Sequence, residues 1–173
     1  MSPILLLGFM GSGKSHIGKM LAAKLHFSFL DLDAVLETHA GRTIAEIFAQ
    51  EGETFFRNLE TQTLEKFGGS TYSVVSLGGG APCFNNNMNL IKKLGTSFYL
   101  QVPADMLAQR LYNERAHRPI LHNTDEKSFT HFIEDKLIER NPFYLQADYI
   151  INAAQTDVDV VKEIISIVSK VNP

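Results

Sequence analysis

Hydrophobic residues in this chain gather in short runs separated by longer stretches of mixed polarity. PILLLGF (3–9), FSFLDLD (27–33), YSVVSLG (72–78), SFYLQV (97–102) and DYIINA (148–153) are β-rich and read as five strands. The stretches between them carry helical periodicity over roughly 14–25, 53–67, 86–94, 104–113, 128–146 and 158–170, with Asp105, Ser128 and Asp157 near three helix starts. Strand and helix therefore alternate. Near-continuous apolar strands joined through helices need crossover connections, so the pattern predicts an α/β fold in three layers, a parallel sheet covered by helices on both faces. In such folds ligands bind at the C-terminal ends of the strands.

Composition narrows this picture in a few respects. A length of 173 residues fits a single domain over 1–173. A net charge of -3 offers no general attraction for nucleic acid or an anionic membrane, so any anion must be held locally. No apolar run approaches the ~20 residues that span a bilayer. The N-terminus lacks the basic segment and apolar stretch of a signal peptide, and the one cysteine, Cys83, cannot form an internal disulfide, so a cytoplasmic location is expected. The histidines show no spacing such as H-x-x-x-H and Cys83 has no partner ligand, so zinc is not expected, and Cys83 reads as a small buried thiol rather than a nucleophile.

The chemistry begins directly after the first strand. Gly8, Gly13, Lys14 and Ser15 in GFMGSGKS match G-x-x-x-x-G-K-[ST] without a mismatch, between a predicted strand and a predicted helix. Loop amides and the helix N-terminus can wrap a di- or triphosphate, Lys14 can reach its β and γ phosphates, and the Ser15 hydroxyl can ligate Mg²⁺. The loop marks a nucleotide site without naming the phosphate acceptor.

Five further segments carry candidate chemistry. In DLD (31–33), period-2 alternation sends Asp31 and Asp33 to one side, where two carboxylates suit metal and hydroxyl chemistry; a helix cap beside a solvated acid is the other reading. In EGETFFRNLE (51–60), Arg57 and Glu60 lie one turn apart, so Glu60 can orient the guanidinium, although such a pair alone also reads as an ordinary solvated helix surface. VVSLGGGAP (74–82) places three bare amides after an apolar strand, or else a flexible turn. YNERAHRPIL (112–121) concentrates Arg115, His117 and Arg118 before a proline, as a basic flap or a solvent loop would. ERNPFY (139–144) adds Arg140 just before Pro142, a helix-disrupting residue.

With GFMGSGKS, DLD, FFRNLE, LGGGAP, RPIL and ERNPFY in this order, the chain resembles the shikimate kinases over essentially its whole length. The resemblance implies a nucleoside-monophosphate-kinase-like fold with strand order 2-3-1-4-5, a substrate-binding segment at about 33–61 and a lid at about 112–122. It implies transfer of the ATP γ-phosphoryl group to the 3-hydroxyl of shikimate, a step toward chorismate and the aromatic amino acids, with Mg²⁺ as cofactor and a monomer as the expected state. Carried over by position, Asp33 meets the accepting hydroxyl, Arg57 and Arg140 clamp the carboxylate, and Gly78, Gly79 and Gly80 supply amides. Gly11, Ser12, Gly13, Lys14, Ser15 and His16 surround the nucleotide phosphates, Arg118 reaches them from the lid, and Arg110 and Gln155 contact the nucleotide. Lys14, Asp33 and Arg118 are the implied catalytic set, and Asp31 orients Mg²⁺ through water beside Ser15. The chain departs from the family pattern in having Leu32 where Thr or Ser is common, and in lacking the proline that some relatives place against adenine. Gluconate and nucleoside monophosphate kinases share the loop, fold and lid, and the phosphate loop alone also permits a nucleotide-sensing module without turnover.

Overall fold

A computed structural model describes residues 1–114 and 126–171. Along the chain the elements are β1 (Ile4–Leu7), α1 (Lys14–Leu25), β2 (Ser28–Asp31), α2 (Leu32–Ala40), α3 (Ile44–Glu65), β3 (Ser73–Ser76), α4 (Asn87–Leu94), β4 (Thr96–Gln101), α5 (Ala104–Glu114), α6 (Glu126–Tyr144), β5 (Tyr149–Asn152) and α7 (Asp157–Val171). All strand pairs are parallel and the sheet order is β2-β3-β1-β4-β5, the order implied by the family resemblance. None of the described helices is long and apolar enough to cross a membrane.

The central strand explains the layering. Ile4, Leu5, Leu6 and Leu7 are all buried, because β1 has a strand on each side and helices on each face. Alternation sends Ile4 and Leu6 into a core with Ile17 and Leu21 of α1 and Val160 and Ile164 of α7. Leu5 and Leu7 face the opposite core, with Leu64 of α3 and Met88 and Ile91 of α4.

Beyond β2 a smaller lobe has its own core of Leu36, Ile47 and Phe56. The helix predicted at 53–67 is the second half of α3, whereas α2 and the first half of α3 were not among the predicted elements. Strand β2 ends at Asp31, not at residue 33, because the Asp31 side chain accepts from the backbone N–H groups of Asp33 and Ala34 and so caps α2. A reciprocal capping box between Thr43 and Glu46 starts α3. Helix α3 then breaks at Gly52, where φ is 79° and ψ is 175°, a backbone that side-chain-bearing residues rarely adopt. The break turns the second half of α3, with Arg57 and Glu60, along a new direction. Pro142 lies inside α6, the helix predicted at 128–146, and does not disrupt it: α6 continues to Tyr144. In the last turn its missing N–H frees only the Ile138 carbonyl, on a residue exposed enough for water to serve it.

Candidate active site

The ends of β1, β2 and β3 bring three loops to one edge, with Leu77 N–H bonded to the Leu6 carbonyl at 3.0 Å. Gly13 precedes α1 without a side-chain cap, so the first amides of the helix stay open to an anion. The Lys14 ammonium is buried and donates to the carbonyls of Gly8 and Phe9, each at 2.9 Å. Burial pulls its pKa down to about 8, against the opposing pull of Asp33 and Asp31. The Ser12 hydroxyl is buried within the loop and has no hydrogen-bond partner.

Asp31 and Asp33 share the site, but by a different geometry from the one predicted. Asp31 ends the strand and Asp33 lies in the first turn of α2, so a helical turn rather than strand alternation brings them together. Asp31 is the helix cap of one reading: Oδ1 caps α2, while Oδ2 accepts from the Ser15 hydroxyl at 2.7 Å. Ser76 of β3 lies beyond, its Oγ 3.3 Å from that of Ser15. The Asp33 carboxyl is pushed above the usual range by burial and then by the neighbouring Asp31 charge. A cleft of about 470 Å³ is bounded by Lys14, Ser15, Asp31, Asp33, Ser76 and Gly79. A larger groove of about 650 Å³ between α1, β2 and α2 touches this chemistry only through Asp31 and is otherwise lined by side chains such as Phe29, Val35 and Thr38.

Two of the three glycines, Gly78 and Gly80, are packing requirements. A Cβ on Gly80 would lie 2.7 Å and 2.8 Å from the Arg57 guanidinium nitrogens, and one on Gly78 would lie 2.7 Å from Asp33 Oδ1 and 3.0 Å from Glu60 Oε1. Bare backbone is what lets the acid and the guanidinium close around this turn. Arg57 Nη1 donates to Glu60 at 2.9 Å, and its Nε and Nη2 donate to Glu53 at 3.3 and 3.2 Å. Its guanidinium also stands over the rings of Phe84 and Phe56, 4.1 and 4.9 Å from their centroids. Arg57 is thus a fixed and mostly buried group, not a solvated one, and Glu60 is 1% exposed. Burial raises the Glu60 carboxyl pKa while Arg57 holds it back.

Arg140 arrives from α6, with its guanidinium 5.1 Å from the Phe9 ring centroid and Nη1 3.5 Å from the Cβ position of Gly79. Arg57 and Arg140 together line a cleft of about 340 Å³ with Phe84, Cys83 and Lys136. Burial pushes the Cys83 thiol to about 11, so it stays protonated at neutral pH, as expected of a thiol that is not a nucleophile.

Of the residues assigned to the nucleotide, Arg110 reaches the phosphate loop, donating to the Gly11 carbonyl at 3.1 Å. His16 pairs with Asp157 at 3.2 Å, and Gln155 donates to Glu163 at 2.8 Å, so both are turned toward α7. Arg115, His117 and Arg118 lie outside the described residues, as does most of the expected lid at 112–122. Sequence reasoning missed Glu53 and Tyr144, although each is spaced i,i+4 from one of the arginines, which was a usable signal. Ser76 and Phe84 carried no such signal, because their roles arise from contacts distant in sequence.

Comparison with known proteins agrees with this geometry. The shikimate kinase family model matches residues 10–169. The shikimate kinase of Bacteroides fragilis is 42% identical over 147 residues, covering 85% of this chain and 82% of its own. That of a Sulfurihydrogenibium species is 41% identical over 167 residues, covering 96% of this chain and 97% of its own. The crystal structure of Bacteroides thetaiotaomicron shikimate kinase superposes with a TM-score of 0.91 at 36% identity, covering 97% of this chain and 98% of that one. Acinetobacter baumannii shikimate kinase in complex with shikimate gives 0.87 at 33% identity, covering 99% and 95%. A gluconokinase from Sinorhizobium meliloti gives a TM-score of 0.59 at 15% identity, a likeness of fold alone. With the phosphate loop, the paired acids and the two arginines set around one glycine turn, and with relatives matching along nearly the full length, the chain belongs to the shikimate kinase family.

Proposed function

We infer that this edge of the sheet carries out the reaction of the family, ATP-dependent phosphorylation of shikimate in aromatic amino acid biosynthesis, with the 3-hydroxyl as acceptor and shikimate 3-phosphate and ADP as products. The observation that carries this reading is the convergence of Asp33, Arg57 and Arg140 on the Gly78–Gly80 turn beside the phosphate loop. The relative from Acinetobacter baumannii, solved with shikimate, supports the substrate.

Each residue then has a physical task. Gly11, Ser12, Gly13 and the N-terminus of α1 receive the phosphates, and the Lys14 ammonium turns from its two carbonyl acceptors to the β and γ oxygens. Asp33 orients the hydroxyl and accepts its proton, and the burial that raises its pKa also makes it a stronger acceptor. Arg57 and Arg140 hold the substrate carboxylate, because planar guanidinium forks match it bidentately, while the amides of Gly79 and Gly80 take the remaining polar contacts. Arg118, outside the described residues, neutralises charge on the moving phosphoryl group from the lid at 112–122, and the segment at 33–61 carries the substrate side within a single domain. Arg110, anchored on Gly11, lies beside the nucleotide, with His16 and Gln155 at its outer edge.

The donor set fits Mg²⁺, a cation that prefers oxygen ligands and keeps several waters. Ser15 Oγ and Asp31 Oδ2 lie 2.7 Å apart, and among the described residues no group of three or more His, Cys, Asp or Glu side chains forms a complete protein cage. Ser15 would ligate the ion directly and Asp31 through water. When bound, the ion neutralises charge between the β and γ phosphates. A cytoplasmic monomer, with neither nucleic acid nor membrane as partner, fits the mildly acidic balance of the chain.

An ADP-release assay with shikimate, quinate, gluconate, AMP and CMP tests the reading. Shikimate should give the highest kcat/KM. A better gluconate or AMP turnover would move the chain to a neighbouring kinase activity, and no turnover with any acceptor would make it a nucleotide-sensing module.

A further inference from the structure

We propose that Tyr144 is a positioning residue for substrate binding, holding the Gly79–Gly80 peptide between the two arginines in place through its one hydroxyl. The inference rests on the assignment of Arg140 and the glycine turn to the shikimate side of the site. Tyr144 is fully buried, one helical turn beyond Arg140 on α6, and its hydroxyl bonds the Gly79 carbonyl. A carbonyl can only accept, so the single phenol proton goes to Gly79.

Peptide planarity carries the effect to the ligand side. The Gly79 carbonyl and the Gly80 N–H belong to one trans peptide and point in opposite directions. Tying the carbonyl to Tyr144 therefore aims the Gly80 N–H away from α6, and among the described residues that N–H has no backbone acceptor. The Cβ position of Gly80 faces Arg57 while that of Gly79 faces Arg140, so this peptide stands between the two arginines of the clamp. The phenol ring is itself held, 5.0 Å from the ring of Tyr99, whose hydroxyl donates to Asn141 Oδ1 at 3.0 Å. A free rotation of the glycine peptide is thus opposed by one buried, seated side chain.

The test is steady-state kinetics on Tyr144→Phe with shikimate and ATP varied separately, beside Tyr99→Phe, which removes a nearby buried hydroxyl but keeps its ring. Removing one buried hydrogen bond should raise the shikimate KM about fivefold, with ATP KM and kcat within about twofold. Tyr99→Phe should leave the shikimate KM within about twofold. An unchanged shikimate KM in folded Tyr144→Phe overturns the proposal, and so does an equal rise in both KM values, which would mark a merely structural hydroxyl. If Tyr144→Phe does not fold, 4-aminophenylalanine at 144 keeps the ring and donates more weakly from the same position. The shikimate KM should then rise about two- to threefold with ATP KM unmoved, and no rise overturns the proposal. Wild-type turnover separates the two levels: failure to phosphorylate shikimate removes the functional assignment, whereas failure of the Tyr144 role leaves that turnover intact.

Discussion

Replacing Arg57 by lysine keeps the charge and removes the fork, which makes it the sharpest probe of the carboxylate clamp. In the structure three of the guanidinium nitrogens are committed: Nη1 to Glu60 at 2.9 Å, and Nε and Nη2 to Glu53 at 3.3 and 3.2 Å. The plane is kept open to a ligand by stacking on Phe84 and by the missing Cβ of Gly80. A lysine ammonium is a compact point charge that cannot bridge two acids and also present two parallel donors to a carboxylate. The substrate should therefore lose about one charge-assisted hydrogen bond, about 1.5 to 3 kcal/mol, or roughly 10- to 150-fold in shikimate affinity. ATP affinity should change little, because the phosphate loop is built from other residues. Stability should fall as well, since Glu60 is 1% exposed and keeps a weaker counter-charge. Calorimetric titration with each ligand and a thermal melt measure all three quantities. Unaltered shikimate affinity in a folded variant, or an equal loss for ATP, would refute the clamp.

Three other outcomes follow from the same geometry. Asp33→Asn should lower turnover by about 10²-fold or more while ATP binding persists, the scale of a lost proton acceptor; near-normal turnover removes Asp33 from that role. Gly80→Ala would place a methyl 2.7 Å from Arg57 Nη1 and displace the clamp rather than the backbone. Its shikimate KM should rise about tenfold with ATP KM held, and equal values for both variants and ligands would show the turn to be tolerant. Lys14 has a folded pKa depressed to about 8 from 10.5, so its contribution to stability is present above 10.5 and is lost as pH falls through about 8. Phosphate charge opposes that depression, so ATP binding at pH 8 should take up about half a proton, fading toward pH 6.5, as read from calorimetric heats in buffers of different ionisation enthalpy. Proton release at pH 8 would contradict the placement of Lys14 against the phosphates.

The inner strands β3, β1 and β4 were legible because they are buried on both faces, and the edge strands β2 and β5 by their β-rich residues alone. PILLLGF declares itself by unbroken hydrophobicity, and the helix after the phosphate loop was placed at 14–25, where α1 runs from Lys14 to Leu25. The small lobe was harder to read for a physical reason. DLDAVLETHA carries a strand-like beginning, and the end of β2 is decided by a capping bond from Asp31, a local competition between ladder and helix that hydrophobic period does not register. Thr43 and Glu46 were a usable helix signal, and Gly52 was the sign that the helix would turn. Pro142 misled in the opposite sense, since a proline one turn from the end of a helix breaks only a bond that water can replace.

For the site, residue types were readable and their mutual geometry was not. Arg57 taken alone reads as surface, because an i,i+3 acid on a helix is common and weak. Its importance comes from the turn at Gly80, more than twenty residues later, which has no side chain where the guanidinium lies. The same turn explains why Asp33 and Glu60, two acids with raised pKa values, approach one backbone segment without a side chain between them. Arg57 offsets part of that crowding, so the carboxylate clamp also makes the acid pair tolerable. A change at Arg57 alters the field around Glu60 and Asp33, so in the proposed assignment binding and proton acceptance are coupled through one element. A cycle combining Arg57→Lys with Asp33→Asn should therefore be non-additive in kcat/KM, and strict additivity would show the two functions to be independent.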